Sequence, residues 1–186
     1  MNRVFSLFFL FVVFLSINTS CKKDSSNPVD KLPPATTEGK NTFACLINGK
    51  PFIVNLSDNN QAIFAQYFTT DYTGDLNYEF FIDGASLFDA AYETVDIRAL
   101  RKEPFKTGQT LQMADDNSFT EGNFTNGDLK TFTSSHSSSP KGEIVLSRVD
   151  TVNKILSGTF WFNAYENPVD KNELKITDGR FDIKYE

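Results

Sequence analysis

From Asn41 to Glu186 the chain is written in short apolar alternations cut by Gly, Asn, Asp and Ser. Successive side chains of a β-strand point to opposite faces, so a two-residue period predicts strand after strand, each with one face to bury. In residues 76–83, Leu76, Tyr78, Phe80 and Ile82 line one side while Asn77, Glu79 and Asp83 line the other. Residues 62–69 set Ile63, Ala65 and Tyr67 on a common face, and residues 93–100 set Val95, Ile97 and Ala99 opposite Asp96 and Arg98. Leu156, Gly158, Phe160, Phe162 and Ala164 share a face of a long strand over 154–165, and Phe181, Ile183 and Tyr185 point inward from 180–185 with Arg180, Asp182 and Lys184 outward. Further strands are expected over 142–149 and 174–177, with short ones over 110–113 and 118–125 around an Asp115-Asp116-Asn117 turn.

Turn chemistry punctuates this pattern. Asn48-Gly49 between residues 41–47 and 51–56 predicts a hairpin, because Asn-Gly supplies the positive φ angles of a type I′ turn. Residues 150–153 and Asp178-Gly179 are read as further turns, 166–171 as a loop, and the serine-rich 134–140 as an exposed loop. Residues 86–92 fit neither period and are expected to form a short helical turn or a loop. Nearly ten strands in one domain predict an all-β fold, an antiparallel β-sandwich with a closed β-barrel as the alternative.

The start of the chain is different in kind. Arg3 precedes an apolar run from Val4 to Ile17, then Asn18-Thr19-Ser20-Cys21. The run is shorter than the roughly 20 residues a membrane span needs, and it reads as a lipoprotein signal peptide over 1–20, with Cys21 the lipidated first residue of the mature chain. An ordinary cleaved signal is the alternative, since Asn18 stands where an aliphatic residue is usual. Residues 21–40 carry Lys, Asp, Ser and three prolines, Pro28, Pro33 and Pro34, and are expected to be a flexible, disordered tether. Residues 41–186 remain as a single β-domain, within the usual range of roughly 100 to 200 residues.

Charge and cysteine narrow the function classes. The chain holds 18 basic and 24 acidic side chains for a net charge of -6, with no basic patch of the kind nucleic acid demands. Lipidation of Cys21 would leave Cys45 unpaired, and Phe43-Ala44-Cys45-Leu46-Ile47 is the setting of a small buried hydrophobe rather than a reactive thiol.

Few residues offer chemistry. His136 is the single histidine, and its Ser134-Ser135-His136-Ser137-Ser138 setting is poorly suited to holding a catalytic base. Asp71, Thr73, Asp75, Asn77 and Glu79 have calcium-like spacing, but Leu76 and Ile82 occupy the positions where a calcium loop needs Gly and Glu. Asp170, Asn172 and Glu173 form a second oxygen-rich loop with an equally weak signal. No metal, cofactor or catalytic residue is assigned. Among 19 Phe, 6 Tyr and one Trp, Trp161 has the parity opposite to Phe160 and Phe162, which places it on the outer sheet face beside Thr159 and Asn163. There it is a candidate for stacking on a sugar ring or a partner, unless a loop or strand covers it.

The order Gly39-Lys40-Asn41-Thr42-Phe43-Ala44-Cys45-Leu46-Ile47-Asn48-Gly49-Lys50, then Gly142-Glu143-Ile144 with Asp150, then Ser157-Gly158-Thr159-Phe160-Trp161-Phe162, then Ile176-Thr177-Asp178-Gly179-Arg180-Phe181-Asp182 resembles a family of Bacteroidota lipoproteins grouped as a domain of unknown function, DUF6252. The resemblance implies a lipid-anchored β-domain in a Gram-negative envelope, as an outer-membrane lipoprotein facing the periplasm or the cell surface. It brings no site residues. Asp150-Thr151-Val152 is similar to the O-glycosylation sequence of that phylum, which makes Thr151 a candidate modification site. The expectation is therefore a non-enzymatic binding or structural module, held to the membrane through Cys21, with a glycan or an envelope protein as partner. The alternative is a glycan-acting hydrolase using a carboxylate pair, and a third reading is an assembly or inhibitor partner of an outer-membrane machine.

Overall fold

The computed structural model describes residues 27–54, 56, 62–72, 74–88, 91–113, 118–137, 139, 141–169 and 172–186. The signal segment and Cys21 lie outside these residues. Among the described residues eleven strands follow in order: β1 (Thr42–Ile47), β2 (Lys50–Val54), β3 (Ala62–Tyr72), β4 (Asp75–Phe88), β5 (Ala91–Arg101), β6 (Thr110–Gln112), β7 (Ser118–Thr125), β8 (Thr131–Thr133), β9 (Gly142–Asp150), β10 (Ile155–Ala164) and β11 (Leu174–Lys184). They form a six-stranded sheet of order β2-β1-β11-β10-β9-β6 and a five-stranded sheet of order β3-β4-β5-β7-β8. Every pairing is antiparallel. The fold is a β-sandwich, and the sheets do not close into a barrel.

The core lies between the inner faces, where the alternation placed it. Phe43, Phe160, Phe162, Phe181, Ile176 and Ile183 of the first sheet meet Phe80, Ile82, Val95, Ile97, Ala99 and Phe124 of the second. The sheets approach closely because glycines face phenylalanines across the gap. A Cβ on Gly84 would stand 2.4 Å from the Phe43 ring, and one on Gly122 would stand 2.5 Å from the Phe162 ring. One corner is pinned by reciprocal backbone hydrogen bonds between Thr133 and Tyr165, with N···O distances of 3.0 and 3.1 Å.

Local chemistry accounts for the connections. Asn48 and Gly49 have φ of 47° and 80°, the double positive pair of a type I′ turn. At the β3–β4 hairpin the Gly74 N–H donates to the Asp71 side chain at 2.8 Å. The expectation for residues 86–92 is corrected for those described: Ser86, Leu87 and Phe88 end β4, Ala91 and Tyr92 begin β5, and they pair as Ser86↔Glu93, Leu87↔Tyr92 and Phe88↔Ala91. Strand pairing there outranks the weak local period. The Asp178-Gly179 turn is corrected too, because β11 runs unbroken from Leu174 to Lys184. Against both β1 and β10 the register slips there by one residue, and Asp178 has φ of 54°. That is a β-bulge, one inserted residue that bends a strand without ending it.

The segment expected as tether also behaves differently from Asn27 onward. Residues 27–41 cross the outer face of the six-stranded sheet as a strap, beginning with a short 3-10 turn, Pro28–Lys31. Leu32, only 7 % exposed, packs with Ala44 and Leu46 of β1, joined by Val29 and Ile53. Proline-rich composition predicted an extended chain, and an extended chain with one or two apolar side chains can lie along a sheet whose outer face is itself apolar. Ala44, Leu46 and Ile155 make this face apolar.

Candidate functional site

The bulge in β11 shapes the surface around Trp161. Trp161 is 38 % exposed on the outer face of β10, beside Thr159 and Asn163. On one side its cross-strand neighbour is Glu143 of β9, whose carboxylate accepts from Gln112 of β6 at 3.0 Å. On the other side lies the bulge, where the pairing skips from Phe160↔Gly179 to Phe162↔Ile176. The result is a shallow trough of about 470 Å³ with Trp161, Glu143, Thr159, Asp178 and Arg180 around it. Ala35 of the strap forms part of its wall, and the Arg180 guanidinium donates to the Pro33 carbonyl at 3.1 Å. An indole face next to hydroxyl, carboxylate and guanidinium groups can stack on a ring while satisfying hydroxyls at its rim.

Asp182 holds the strap in place. Its carboxylate accepts hydrogen bonds from the Thr36 hydroxyl at 2.5 Å, the N–H groups of Glu38, Gly39 and Lys40 at 2.9, 2.7 and 3.2 Å, and the Ser157 hydroxyl at 2.7 Å. Alternation put Asp182 outward, and outward it points, yet it is 0 % exposed because the strap lies over it. Burial pushes its pKa up, but the donors from Ser157, Thr36, Gly39 and Glu38 outweigh burial and hold it down at about 2.

Sequence reasoning missed the outer face of the five-stranded sheet. Phe64 and Phe68 on β3, Phe81 on β4, Leu100 on β5 and Phe119 on β7 share that face, with Phe64 48 % exposed. Between them lies a belt of charge. Asp83 sits directly opposite Asp96, and Asp96 opposite Asn123, whose amide donates to it at 2.9 Å. Arg98 pairs with buried Glu79 and lies over the Phe119 ring, 5.6 Å from its centroid. Burial and then the neighbouring Asp96 raise the Asp83 pKa to about 6, and burial raises that of Asp96 against the opposing pull of Asn123. The available signal was parity: Phe64, Phe68 and Phe81 alternate with the core-facing residues of their strands. Glu79 and Asn77, placed on the solvent side by the pattern, are buried there.

A second cavity, a cleft of about 550 Å³, opens between the sheets where β2 faces the hairpin end of the other sheet. Phe52, Phe124, Phe132 and Leu174 line it, with Lys50 and Glu93 among its polar groups. Burial raises the Glu93 pKa, and Lys50 opposes that rise.

The remaining residues singled out by sequence fall apart in space. Thr151 is exposed in the turn after β9, where the Asp150 carboxylate accepts from the backbone N–H groups of Val152 and Asn153 at 3.1 and 2.8 Å. His136 is half-buried rather than solvated, its Nδ1 3.1 Å from the Tyr165 carbonyl oxygen. Ser134, expected in an exposed loop, is buried and accepts from the Gly122 N–H at 3.1 Å. Cys45 is fully buried in the core, and burial drives its thiol pKa far up. Asp71 caps its hairpin, and Glu173 accepts from Asn163 and the Tyr165 hydroxyl. Among the described residues no three His, Cys, Asp or Glu side chains converge as metal ligands, and no helix is long and apolar enough to cross a membrane.

Two antiparallel sheets around a phenylalanine-rich core, with an N-terminal strap fastened to an aspartate of the last strand, define a β-sandwich domain. Residues 89–182 match the model of a family described as a domain of unknown function (DUF6252), and the chain belongs to that family. The matched region carries Glu143, Trp161, the bulge and Asp182. No curated protein and no solved structure matches the chain.

Proposed function

We propose that the chain is a lipid-anchored binding module of the bacterial outer membrane or cell surface, held through Cys21 and binding a glycan in the Trp161 trough. The observation that carries this reading is the trough itself: a large aromatic side chain left 38 % exposed on a sheet face, with Glu143, Thr159, Asp178 and Arg180 at hand. Sugar rings present an apolar face and a hydroxyl edge, and this surface offers a partner to each. The signal-like residues 1–20 and the cysteine that follows support the envelope location. Glycan-array binding is the test: Trp161→Ala is expected to abolish the signals that the parent chain gives, and an unchanged array would overturn the glycan reading. The second reading, a hydrolase, draws on the opposed Asp83–Asp96 pair with its raised pKa values. Neither carboxylate lines the trough or the cleft. Hydrolysis of a glycan by the parent chain that disappears in both Asp83→Asn and Asp96→Asn would favour it.

A further inference from the structure

The alternation that builds the core runs into charge at one end of the sandwich. On β2, Phe52 and Val54 belong to the core, paired with Cys45 and Phe43 of β1. Lys50, two residues before Phe52, stands on the same inner face. On β5, Val95 and Ile97 belong to the core from the other sheet. Glu93, two residues before Val95, stands on that inner face, paired with Ser86 of β4. An ammonium and a carboxylate thus occupy inward register positions of two facing sheets.

Both line the cleft of about 550 Å³ described above, which falls within the ~300–1,000 Å³ usual for small-molecule sites. Its walls are apolar. Phe124 and Phe132 lie side by side on one, their ring centroids 6.0 Å apart, and Phe52 and Leu174 belong to the other. The Asn48 side-chain oxygen accepts from the Lys175 N–H at 2.9 Å, and that of Asn126 accepts from the Asp128 and Lys130 N–H groups at 3.1 and 3.0 Å. These two oxygens are engaged within the chain, whereas Lys50 and Glu93 are not. Among the described residues no ion pair joins the two or holds either one elsewhere. The Lys50 charge is still near enough to oppose the burial that raises the Glu93 pKa. Opposite charges that feel each other across a cleft without touching leave room for a ligand between them.

We propose that this cleft binds a small zwitterion with an apolar body, an apolar α-amino acid or a short apolar peptide, with its carboxylate at Lys50, its ammonium at Glu93 and its side chain among the phenylalanines. Charge complementarity selects this class. A fatty acid would satisfy Lys50 but set its carboxylate near Glu93, and an alkylamine would do the reverse. A head that carries both charges meets both partners. The cleft shares no lining residue with the Trp161 trough, so this site stands whether or not the trough holds a glycan.

The test is equilibrium dialysis against the full chain in phosphatidylglycerol vesicles, with empty vesicles as the blank. The probes are L-phenylalanine and the dipeptide Phe-Leu, and the tighter of the two identifies the source as free amino acid or peptide. The tighter probe is expected to bind with a Kd of about 0.1 mM, in keeping with a ligand of about a dozen or more non-hydrogen atoms. 3-Phenylpropionate lacks the ammonium and phenethylamine lacks the carboxylate; each is expected to bind at least about tenfold more weakly, the loss of one charge-assisted contact. Lys50→Met and Glu93→Gln chains that keep the parent's circular dichroism spectrum are expected to lose about tenfold in affinity for the same reason. The proposal is overturned if neither probe binds with a Kd below about 5 mM, if either singly charged analogue binds within about threefold of the tighter probe, or if either variant keeps the parent's affinity. Should a variant fail to fold, photolabelling of the parent chain by p-benzoyl-L-phenylalanine decides: label in the peptides that carry Phe52, Phe124 or Phe132 supports the site, and label elsewhere or none overturns it.

Discussion

Asp182 and Asp83 both stand on outer sheet faces, and their surroundings move them in opposite directions. Five donors converge on Asp182, which lowers its pKa to about 2. A carboxylate depressed below its unfolded value of about 3.9 contributes stability that is complete above that value and is lost as pH falls through the folded one. Asp182→Asn is therefore expected to cost about 2 kcal/mol at pH 7 and much less at pH 2, measured by denaturant unfolding at both. Asp83 is the reverse case, half-buried beside a like charge and raised to about 6. Ionising it is unfavourable in the folded state, so stability falls as pH rises from about 4 to about 6. Asp83→Asn should raise stability at pH 7 by on the order of 1 kcal/mol and leave it unchanged below pH 4. Neither environment was legible in the sequence. Alternation places both side chains outward, but what surrounds them comes from residues 36–40 in one case and from Phe64 and Asp96 on the flanking strands β3 and β5 in the other.

Elements were more legible than their interruptions. The strands over 62–69, 76–83, 93–100 and 154–165 carry strong two-residue periods, and each is a strand. Asn48-Gly49 and Asp178-Gly179 carry the same kind of turn signal, yet only the first reverses the chain. β1 and β2 are adjacent at the edge of their sheet, whereas β11 is held on both sides by β1 and β10, so its extra residue must be absorbed within the strand. Asp178 does so with φ of 54°, a conformation that Asn, Asp and Gly tolerate and β-branched residues do not. Asp178→Gly is expected to be nearly neutral and Asp178→Val to cost about 1–2 kcal/mol, read from thermal unfolding. If the two variants melt alike, backbone strain at the bulge is not what selects the residue. Trp161 was placed correctly by parity, and the bulge beside it, which shapes the trough, was hidden by its resemblance to a turn.

At the scale of the molecule, the sandwich follows from the number and spacing of the strands, whereas the absence of closure follows from which strands end as edges, a matter of long-range pairing. The strap is the part that composition concealed. It contributes Leu32 to a small cluster over β1 and four of the groups that surround Asp182. A chain beginning at Asn41 should lose about 3–5 kcal/mol, the combined order of one deleted buried leucine and one stripped buried carboxylate, measured as the shift in the urea midpoint against the full chain. An unshifted midpoint would mean that the strap rests on the sheet without bearing on the fold.

The same arrangement decides where a pull on the N-terminal side is felt. Tension entering at Asn27 does not reach β1 directly. It runs first along residues 27–40, which lie flat on the sheet and are tied to β11, a strand held on both flanks near the middle of the six-stranded sheet. The load is taken in shear by the bonds to Asp182, and β1 is spared from being peeled off strand by strand. A domain hung from one end is in this way gripped near its centre, as a bag is carried by a handle stitched across its side.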